Sequence, residues 1–197
     1  MRKISAALLL LTLFSGRSLA LQADLPSRLP RGAAALQATE RVVAGTRLRI
    51  VPVSGQRLRS RWKEYSGLVG RLSTSGPLRP DPLMSFAVLR EGDGKPVALA
   101  VAVGSDRETL QLDCFAVDPE FQLSAVPVWL AYWTFEHAHR RGYQVARGIA
   151  PKASKQANGY YLKIGARLVE RGESCNRYEI PLSRGIEQLG RLARLLG

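Results

Sequence analysis

The alternation of apolar and polar positions predicts a β-strand near the start of the folded part of the chain. Residues 47–53 read Arg-Leu-Arg-Ile-Val-Pro-Val, and a repeat of two is typical of a strand with one buried face. Ser54 follows in a position suited to cap a helix, which we predict over 56–69. Segment 72–81 is rich in Gly, Pro, Ser and Thr, a composition that favours a loop.

Three more strands are predicted over 85–90, 96–103 and 109–117. The first two are joined by 91–95, where an Asp-Gly pair suits the positive φ angles of a hairpin turn. A strand buried on both faces is expected to be long and mostly apolar. The third strand has this character, and its apolar residues include Leu110, Leu112, Phe115 and Val117.

The rest of the chain alternates helices and strands. Its apolar positions predict a helix over 124–141, a strand over 144–149, a helix over 152–164 and a final hairpin of strands 166–171 and 176–182. A strand, a helix and a strand in succession imply a parallel, right-handed crossover. The elements therefore predict an α/β fold with a mixed, mostly antiparallel sheet and flanking helices.

The first twenty residues have the composition of a secretory leader. Arg2 and Lys3 are followed by an apolar run over 4–14 and by Ser-Leu-Ala, which ends at Ala20 and suits a cleavage site. A helix of this run would rise only about 16 Å, too little for a hydrocarbon core of about 30 Å. We therefore expect cleavage near Ala20 and an exported or periplasmic protein.

Both ends of the chain lie outside the predicted domain, which we place at 45–182. If the leader is instead retained as a helix, the protein is cytoplasmic; if it is part of a transit sequence, the protein enters an organelle. Residues 21–44 contain Pro, Gly and an Ala run and are expected to be flexible. Residues 183–197 form an amphipathic tail, which we expect to dock on the body or to fray.

Basic residues outnumber acidic ones by 29 to 16, which gives a net charge of +13. Such an excess favours anionic partners, namely phosphorylated cofactors, nucleic acid or acidic membrane surfaces. The stretch 41–63 contains no acidic residue, which is consistent with an anion-binding face or with a solvated helix surface. Its basic residues are Arg41, Arg47, Arg49, Arg57, Arg59, Arg61 and Lys63.

Composition excludes several classes of protein. With 46% hydrophobic and 23% charged residues, the chain is neither wholly disordered nor collagen-like. Two cysteines are too few for a disulfide framework or a four-cysteine zinc site. His137 and His139 are two residues apart on a predicted helix and face different directions, so no metal site is expected.

The turn before the predicted helix 124–141 contains Val117, Pro119 and Gln122, followed by Ala125 and Pro127. This spacing resembles the cofactor loop of the GNAT superfamily of N-acetyltransferases, whose pattern is V-x-P, two residues, then Q/R-x-x-G-x-G/A. Ala125 and Pro127 stand at its two glycine positions.

A second segment resembles the family pattern A-x-x-x-Y-x-x-x-G-F. Ala157, Tyr161 and Gly165 match, whereas Ala166 replaces the aromatic residue. Ser154 stands where the family has an Asn seven residues before the Tyr. With the order of elements, the resemblance extends over about 47–182.

The resemblance implies a GNAT-like acyl-CoA N-acyltransferase fold, with acetyl-CoA or another acyl-CoA as substrate and no metal. A helix N-terminus presents free N–H groups and partial positive charge to a pyrophosphate. Ala125 narrows that approach by a methyl group, and Pro127 has no N–H to donate. The residues implied in binding are Phe115, Val117, Gln122, Leu123, Ser124, Ala125, Val126, Pro127 and Ser154.

The resemblance also implies catalytic roles. Tyr161 matches the family's general acid, which protonates the leaving thiolate; the alternative interpretation is that Tyr160 and Tyr161 only pack. By position, the candidates for a general base are Asp113 on the predicted central strand and Glu120 just beyond it. Both are equally consistent with solvated or ion-paired carboxylates.

Three functional hypotheses follow. The first is an acyltransferase that moves an acetyl or other acyl group from a CoA thioester to an amine of an acceptor that the sequence does not identify. The second is a GNAT-like module that binds or scaffolds without catalysis, favoured by the altered glycine positions and the predicted export. The third is a basic protein that binds nucleic acid or a membrane surface through 41–63 and the tail.

Overall fold

Eight strands form one sheet in the computed structural model, which describes residues 36–69 and 78–196. The predicted leader, its cleavage site and most of the predicted loop 72–81 lie outside the described residues. The strands are β1 (Glu40–Val43), β2 (Thr46–Pro52), β3 (Phe86–Arg90), β4 (Pro96–Gly104), β5 (Thr109–Val117), β6 (Val145–Pro151), β7 (Arg167–Arg171) and β8 (Cys175–Pro181). The helices are α1 (Gly55–Ser60), α2 (Trp62–Val69), α3 (Val126–Arg140), α4 (Lys155–Lys163) and α5 (Leu182–Leu196).

The sheet is mixed and mostly antiparallel, as the sequence predicts. Its strands follow the order β1-β2-β3-β4-β5-β6-β8-β7. The neighbours β5 and β6 are parallel and are connected through α3, and every other neighbouring pair is antiparallel. The parallel pair arises because a helical crossover returns the chain to the same end of the sheet.

Both faces of the central strands are buried. On β4, Ala98 and Ala100 face a core shared with α3, α4 and α5, whereas Leu99 and Val101 face a second core shared with α1 and α2. A strand covered on both faces needs apolar residues at every position, which explains the continuous apolar run of β4. The sheet therefore separates two layers of helices.

The sheet begins earlier than the sequence suggests, so the predicted flexible segment 21–44 is too long. β1 pairs with β2, and Leu36 is fully buried beneath α3. The indole N–H groups of Trp133 and Trp129 donate to the carbonyl oxygens of Leu36 at 2.8 Å and Ala38 at 3.0 Å. These hydrogen bonds satisfy two carbonyl oxygens that would otherwise need water as a partner. Their donors lie on α3, far along the chain.

The helix predicted over 56–69 is present as two shorter helices, α1 and α2, which meet at Arg61. Ser54 caps α1 as predicted, because its hydroxyl accepts a hydrogen bond from the Arg57 N–H at 3.2 Å. Leu58 and Tyr65 anchor the two helices in the second core.

The basic residues of 41–63 occupy different environments. The Arg41 guanidinium lies 5.9 Å from the centre of the Trp129 ring, and Arg47 and Arg61 form ion pairs with neighbouring glutamates. Binding of an anionic partner through this stretch stays a prediction. It would depend on the exposed residues Arg49, Arg59 and Lys63.

The C-terminal helix α5 packs along α3. Leu189 and Leu192 lie on its buried face, as the amphipathic pattern predicts. Gly185 permits a close approach, since an added Cβ would lie 2.9 Å from two carbons of the Phe135 ring. Among the described residues, no helix combines the length and the apolar character needed to cross a membrane.

Replacing Gly185 by alanine is expected to lower the free energy of unfolding by about 1–3 kcal/mol, because the methyl group overlaps the Phe135 ring. The matched control is Gly190→Ala in the same helix, where no atom lies within 4 Å of the added Cβ. It should raise stability by about 0.5–1 kcal/mol through helix propensity. Urea denaturation measures both variants, and effects of equal sign and size would contradict the packing of α5 on α3.

Candidate active site

The sheet opens between β5 and β6. These strands pair over three residues each, ending at Gln111 opposite Arg147. Beyond that point β5 runs on to Val117 beside β4 alone, and β6 runs on to Pro151 beside β8 alone. The two strands therefore diverge and leave a V-shaped gap in an otherwise continuous sheet.

A cavity of about 800 Å³ occupies the gap and passes through the sheet. Towards α3 and α4 its wall is largely apolar and includes Phe115 and Tyr161. On the other side it opens at β6, β7 and β8, where Arg147 and Ile149 belong to its wall. We call this second surface the open face, because no helix of the described part of the chain covers it. Pockets of about 300–1,000 Å³ are typical of small-molecule and cofactor sites.

A β-bulge in β5 places Asp113 at the edge of the gap. Val101 lies opposite Cys114 and Ala102 opposite Leu112, so Asp113 is an extra residue without a partner on β4. The bulge also reverses the alternation of side chains along β5. Leu112 points into the core shared with α3, α4 and α5, whereas Cys114 points into the core shared with α1 and α2. Bulges commonly re-aim a side chain beside an active site.

The Asp113 carboxylate lines the cavity and makes no ion pair with any described residue. Loss of hydration raises the pKa of Asp113 above the ordinary carboxyl value. Such a carboxylate is a stronger base than a solvated one, and it attracts a cation. The sequence carried a signal for the bulge, since Leu112 and Phe115 are three residues apart in a strand that otherwise repeats every two.

Tyr161 extends from α4 to the point where β5 and β6 separate. The residue is only 9% exposed, and its ring stacks on Tyr178 with centroids 4.8 Å apart. Gly148 follows Arg147, the last residue of β6 that pairs with β5, and it leaves room for the Tyr161 ring. A Cβ added at Gly148 would lie 2.6 Å from Tyr161 Cζ and even closer to the hydroxyl oxygen. Burial, with smaller effects from Cys114 and Tyr178, raises the pKa of Tyr161, so the phenol is protonated at neutral pH.

A hydrogen-bond network around Asn158 supports the stacked tyrosines. Its Oδ1 accepts from the Tyr178 hydroxyl and from Asn176 Nδ2, both at 2.7 Å. Its Nδ2 donates to the carbonyl oxygens of Pro151 at 2.9 Å and Ser154 at 2.6 Å. All four hydrogen-bonding positions of the amide are thus used, which ties α4 to β6 and β8.

The turn between β5 and α3 satisfies part of its own backbone. The Ser124 N–H donates to the Phe121 carbonyl at 3.1 Å, and the Val126 N–H donates to Ser124 Oγ at 3.1 Å. The helix begins at Val126, after Ala125, which offers no side-chain cap, and Pro127 lies in its first turn. Two positions are therefore not available to donate to an anion: the Val126 N–H is already bonded, and Pro127 has no N–H.

Other amide groups of this turn are available to a ligand. Within the described residues, the N–H groups of Leu123, Ala125 and Val128 have no hydrogen-bond partner. Free N–H groups at the start of a helix, with the positive end of its dipole, form a natural site for phosphate. The turn thus leaves three backbone donors free, whereas Val126 and Pro127 offer none.

Most of the side chains that the sequence singled out meet at the cavity. Residues 123–126 form the turn beside it without lining it, and Glu120 lies outside the wall, 3.4 Å from Arg90. Ser154 also caps α4 by accepting from the Ala157 N–H at 3.2 Å. The predicted residues that line the cavity are Asp113, Phe115, Val117, Gln122, Pro127, Ser154 and Tyr161.

Contacts that close one end of the gap were not evident from the sequence. Tyr160 stacks on Phe115 with centroids 5.6 Å apart, and its hydroxyl donates to the Pro127 carbonyl at 3.2 Å. Gln156 Nε2 donates to Gln122 Oε1 at 3.2 Å. The two hydrogen bonds join residues 33 and 34 positions apart, a separation at which no local pattern reveals a contact.

Two cysteines, Cys114 and Cys175, line the cavity as free thiols. Burial, followed by the charge of Asp113, raises the pKa of Cys114 to about 12. Its thiol is therefore protonated at neutral pH and is a poor nucleophile. In the part of the chain that the structure describes, no three His, Cys, Asp or Glu side chains lie together as a potential metal site.

Gly148→Ala is expected to lower the free energy of unfolding by about 1–3 kcal/mol, because the methyl group displaces the Tyr161 ring from its stack on Tyr178. Gly159→Ala in α4 is the control, with no atom within 4 Å of the added Cβ. Thermal denaturation in a double-mutant cycle tests the cause. The cost of Gly148→Ala should largely disappear in a Tyr161→Ala background, and an unchanged cost would show that Tyr161 does not fill this space.

The fold is similar to that of solved N-acetyltransferases. The GNAT domain of PAT from S. lividans aligns with a TM-score of 0.60 and 13% identity, covering 78% of this chain and 99% of that chain. The ribosomal-protein-S18-alanine N-acetyltransferase from Escherichia coli gives a TM-score of 0.52 and 16% identity, with coverages of 68% and 94%. The NatC complex bound to Gag peptide and CoA gives a TM-score of 0.54 and 11% identity, covering 68% of this chain and 98% of that chain.

These similarities concern the fold, since no more than 16% of the aligned residues are identical in the three structures. No protein-family model matches the sequence, and a comparison with curated protein sequences gives no significant match. Structure and sequence motifs agree on the same architecture. The chain has the GNAT fold of acyl-CoA N-acyltransferases, in a divergent form.

Proposed function

We propose that the protein transfers an acyl group from a CoA thioester to an amine. The observation that carries the proposal is the gap between β5 and β6, whose wall includes Tyr161 together with Gln122 and Pro127, the neighbours of the free amides at the start of α3. One end suits a pyrophosphate and the other a leaving thiol. Solved N-acetyltransferases of the same fold, one of them bound to CoA, support this assignment.

In this proposal the acyl-CoA lies along the gap. The N–H groups of Leu123, Ala125 and Val128 donate to its pyrophosphate. Beyond Gln111, the edge of β5 that faces the gap has backbone groups without partners on β6, and these suit the amides of the pantetheine arm. Phe115 offers an apolar surface along the same path.

The proposed reaction forms one bond and breaks another. The acceptor nitrogen bonds to the thioester carbonyl carbon, and the carbon–sulfur bond breaks. Asp113 takes the proton that the nitrogen loses, and Tyr161 gives its hydroxyl proton to the departing sulfur. A proton then passes from Asp113 to Tyr161 and restores both groups. The raised pKa of Tyr161 keeps the phenol protonated at neutral pH, and the raised pKa of Asp113 makes its carboxylate a stronger base.

Tyr161→Phe is expected to lower kcat for thiol release from acetyl-CoA by about 10²–10⁴-fold, because it removes the proton donor. The Kd for acetyl-CoA, measured by calorimetry, should change little, since the ring remains. Tyr143→Phe is the control, because Tyr143 lies outside the cavity wall. Equal kcat values for the wild type and Tyr161→Phe would remove Tyr161 from the mechanism, and no binding of acetyl-CoA at millimolar concentration would remove the proposed function.

A binding or scaffold module without catalysis is the second candidate. It is favoured by the altered turn, where Pro127 has no N–H and Ser124 already accepts the Val126 N–H at 3.1 Å. It is also favoured by the stack of Tyr160 on Phe115 inside the gap. Export through the predicted leader, which would separate the protein from cellular CoA thioesters, stays a prediction.

Restoring an amide at position 127 separates the two candidates. Pro127→Ala returns an N–H to the first turn of α3 and should tighten CoA binding about 5- to 150-fold, the equivalent of about 1–3 kcal/mol. Pro52→Ala, at an exposed end of β2, is the control. Calorimetry with CoA measures both. A site that never bound CoA should show no binding in either variant, and this outcome would favour the scaffold.

A further inference from the structure

A row of charged side chains crosses the open face beside the point where β5 and β6 separate. Glu179 lies opposite Arg147 on one side and Arg167 on the other. Its two oxygens accept from Arg147 Nε at 3.0 Å and from an Arg167 terminal nitrogen at 2.7 Å. One carboxylate between two guanidinium groups leaves a positive charge uncompensated. None of these groups has a part in the proposed proton transfers.

The guanidinium groups, and not the carboxylate, are accessible in this row. The Arg147 side chain is 51% exposed, whereas the Glu179 side chain is 15% exposed. Arg147 contacts Glu179 through Nε, and its two terminal nitrogens have no partner among the described residues. An anionic group that approaches the cavity from the open face therefore meets the free edge of Arg147.

The next row contains one ion pair and apolar side chains. Arg177 is 62% exposed and pairs with Glu170 at 3.0 Å through one terminal nitrogen, so the pair is neutral overall. Ile149 and Val169, both about half exposed, lie in the same wall. They offer apolar contact to a short carbon chain that runs from the rim into the gap.

Asp106 is a further acid near Arg147, but it does not form an ion pair that would neutralise the positive charge of Arg147. Its Oδ1 accepts the N–H groups of Glu108 at 2.9 Å and Thr109 at 2.6 Å, and these bonds are the chief reason that the pKa of Asp106 is lowered. The charge of Arg147 contributes less. The carboxylate of Asp106 is thus committed to capping the turn before β5.

Asp113 faces the same cavity from the opposite strand. It is two residues beyond Gln111, the last β5 residue paired with β6, and Gln111 lies opposite Arg147. Strand spacings of about 4.8 Å and about 3.3 Å per residue place the Cα atoms of Asp113 and Arg147 roughly 8 Å apart or more. One cavity therefore presents an unpaired carboxylate at the gap and an unpaired positive charge at its rim.

We propose that the acceptor is a small amine that also carries an anionic group, such as a carboxylate or a phosphate. Its ammonium group binds at Asp113 and loses one proton to solvent before the nitrogen attacks. Its anionic group binds at the free terminal nitrogens of Arg147, and its carbon chain crosses Ile149. This inference rests on the proposed function, in which the bound amine accepts the acyl group. A dicationic amine of the same length would bring its second ammonium group against the uncompensated positive charge of Arg147, so polyamines are disfavoured.

Matched amines test the proposal with the full-length protein. The probes are two anionic amines that carry an acid group (2-aminoethyl phosphate and 3-aminopropanoate), a neutral amine whose second group is an uncharged ether (2-methoxyethylamine), and 1,3-diaminopropane, a dication when both amines are protonated. With acetyl-CoA, thiol release should give kcat/KM at least about 10-fold higher for one of the anionic amines than for the neutral amine, and lowest for the dication. The two anionic arms distinguish phosphate from carboxylate as the preferred group.

Arg147→Gln should reduce the ratio of kcat/KM between anionic and neutral amines at least about 5-fold. Arg191→Gln is the control, because Arg191 lies on α5, pairs with Glu187 and is 53% exposed, much as Arg147 is; it should leave both activities unchanged. Equal rates for all four amines, a preference for the dication, or a ratio insensitive to Arg147→Gln would overturn the proposal while leaving acyl transfer intact.

Calorimetry with the same amines in the absence of acetyl-CoA distinguishes failure of the amine site from failure of the acyltransferase assignment. If acetyl-CoA does not bind but 2-aminoethyl phosphate or 3-aminopropanoate binds in a manner that depends on Arg147, the site for anionic amines stands and the acyltransferase assignment fails. If neither anionic amine binds more tightly than 1,3-diaminopropane and no activity is found, both fail.

Discussion

The end of β-pairing at Gln111 and Arg147 is the constraint on which the rest of the structure depends. Inside a sheet, an unpaired N–H or C=O that is also cut off from water costs about 1–3 kcal/mol. Two features lie at the point of separation: the Tyr161 ring packs over Gly148, and the bulge at Asp113 interrupts the pairing of β5 with β4. The backbone groups released in this way face a cavity, where a ligand can pair with them.

The same arrangement divides one cavity into two electrical environments. Towards α3 and α4, burial raises the pKa of Tyr161, so its phenol keeps its proton at neutral pH. On the open face, hydrogen bonds from Arg167 and Arg147 lower the pKa of Glu179, which stays ionised. Asp113 stands between the two regions, and its carboxylate is exposed to the cavity but lacks a counter-charge. The proton donor Tyr161 and the fixed charges of the open face are thereby kept on separate sides of the sheet.

The end of the gap near α3 is closed by contacts that a ligand can displace. The Tyr160–Pro127 and Gln156–Gln122 hydrogen bonds each contribute about 0.5–1.5 kcal/mol net, which is small beside the affinity of a nucleotide cofactor. By contrast, the four hydrogen bonds of Asn158 secure the start of α4 to β6 and β8. The helix therefore has a firmly held face behind the catalytic candidate and weakly held side chains at the opening.

The sequence by itself determined the order of the elements, the Ser54 cap and the placing of Asp113 and Tyr161 within one site, because strand alternation, capping and the family motifs are local in sequence. It did not reveal β1, the break between α1 and α2, or the stack of Tyr160 on Phe115. These depend on partners far along the chain, such as the indole groups of α3 that bond the backbone before β1. The tertiary structure alone decided where two strands part and which side chains face the opening, since that outcome is set by packing between distant segments.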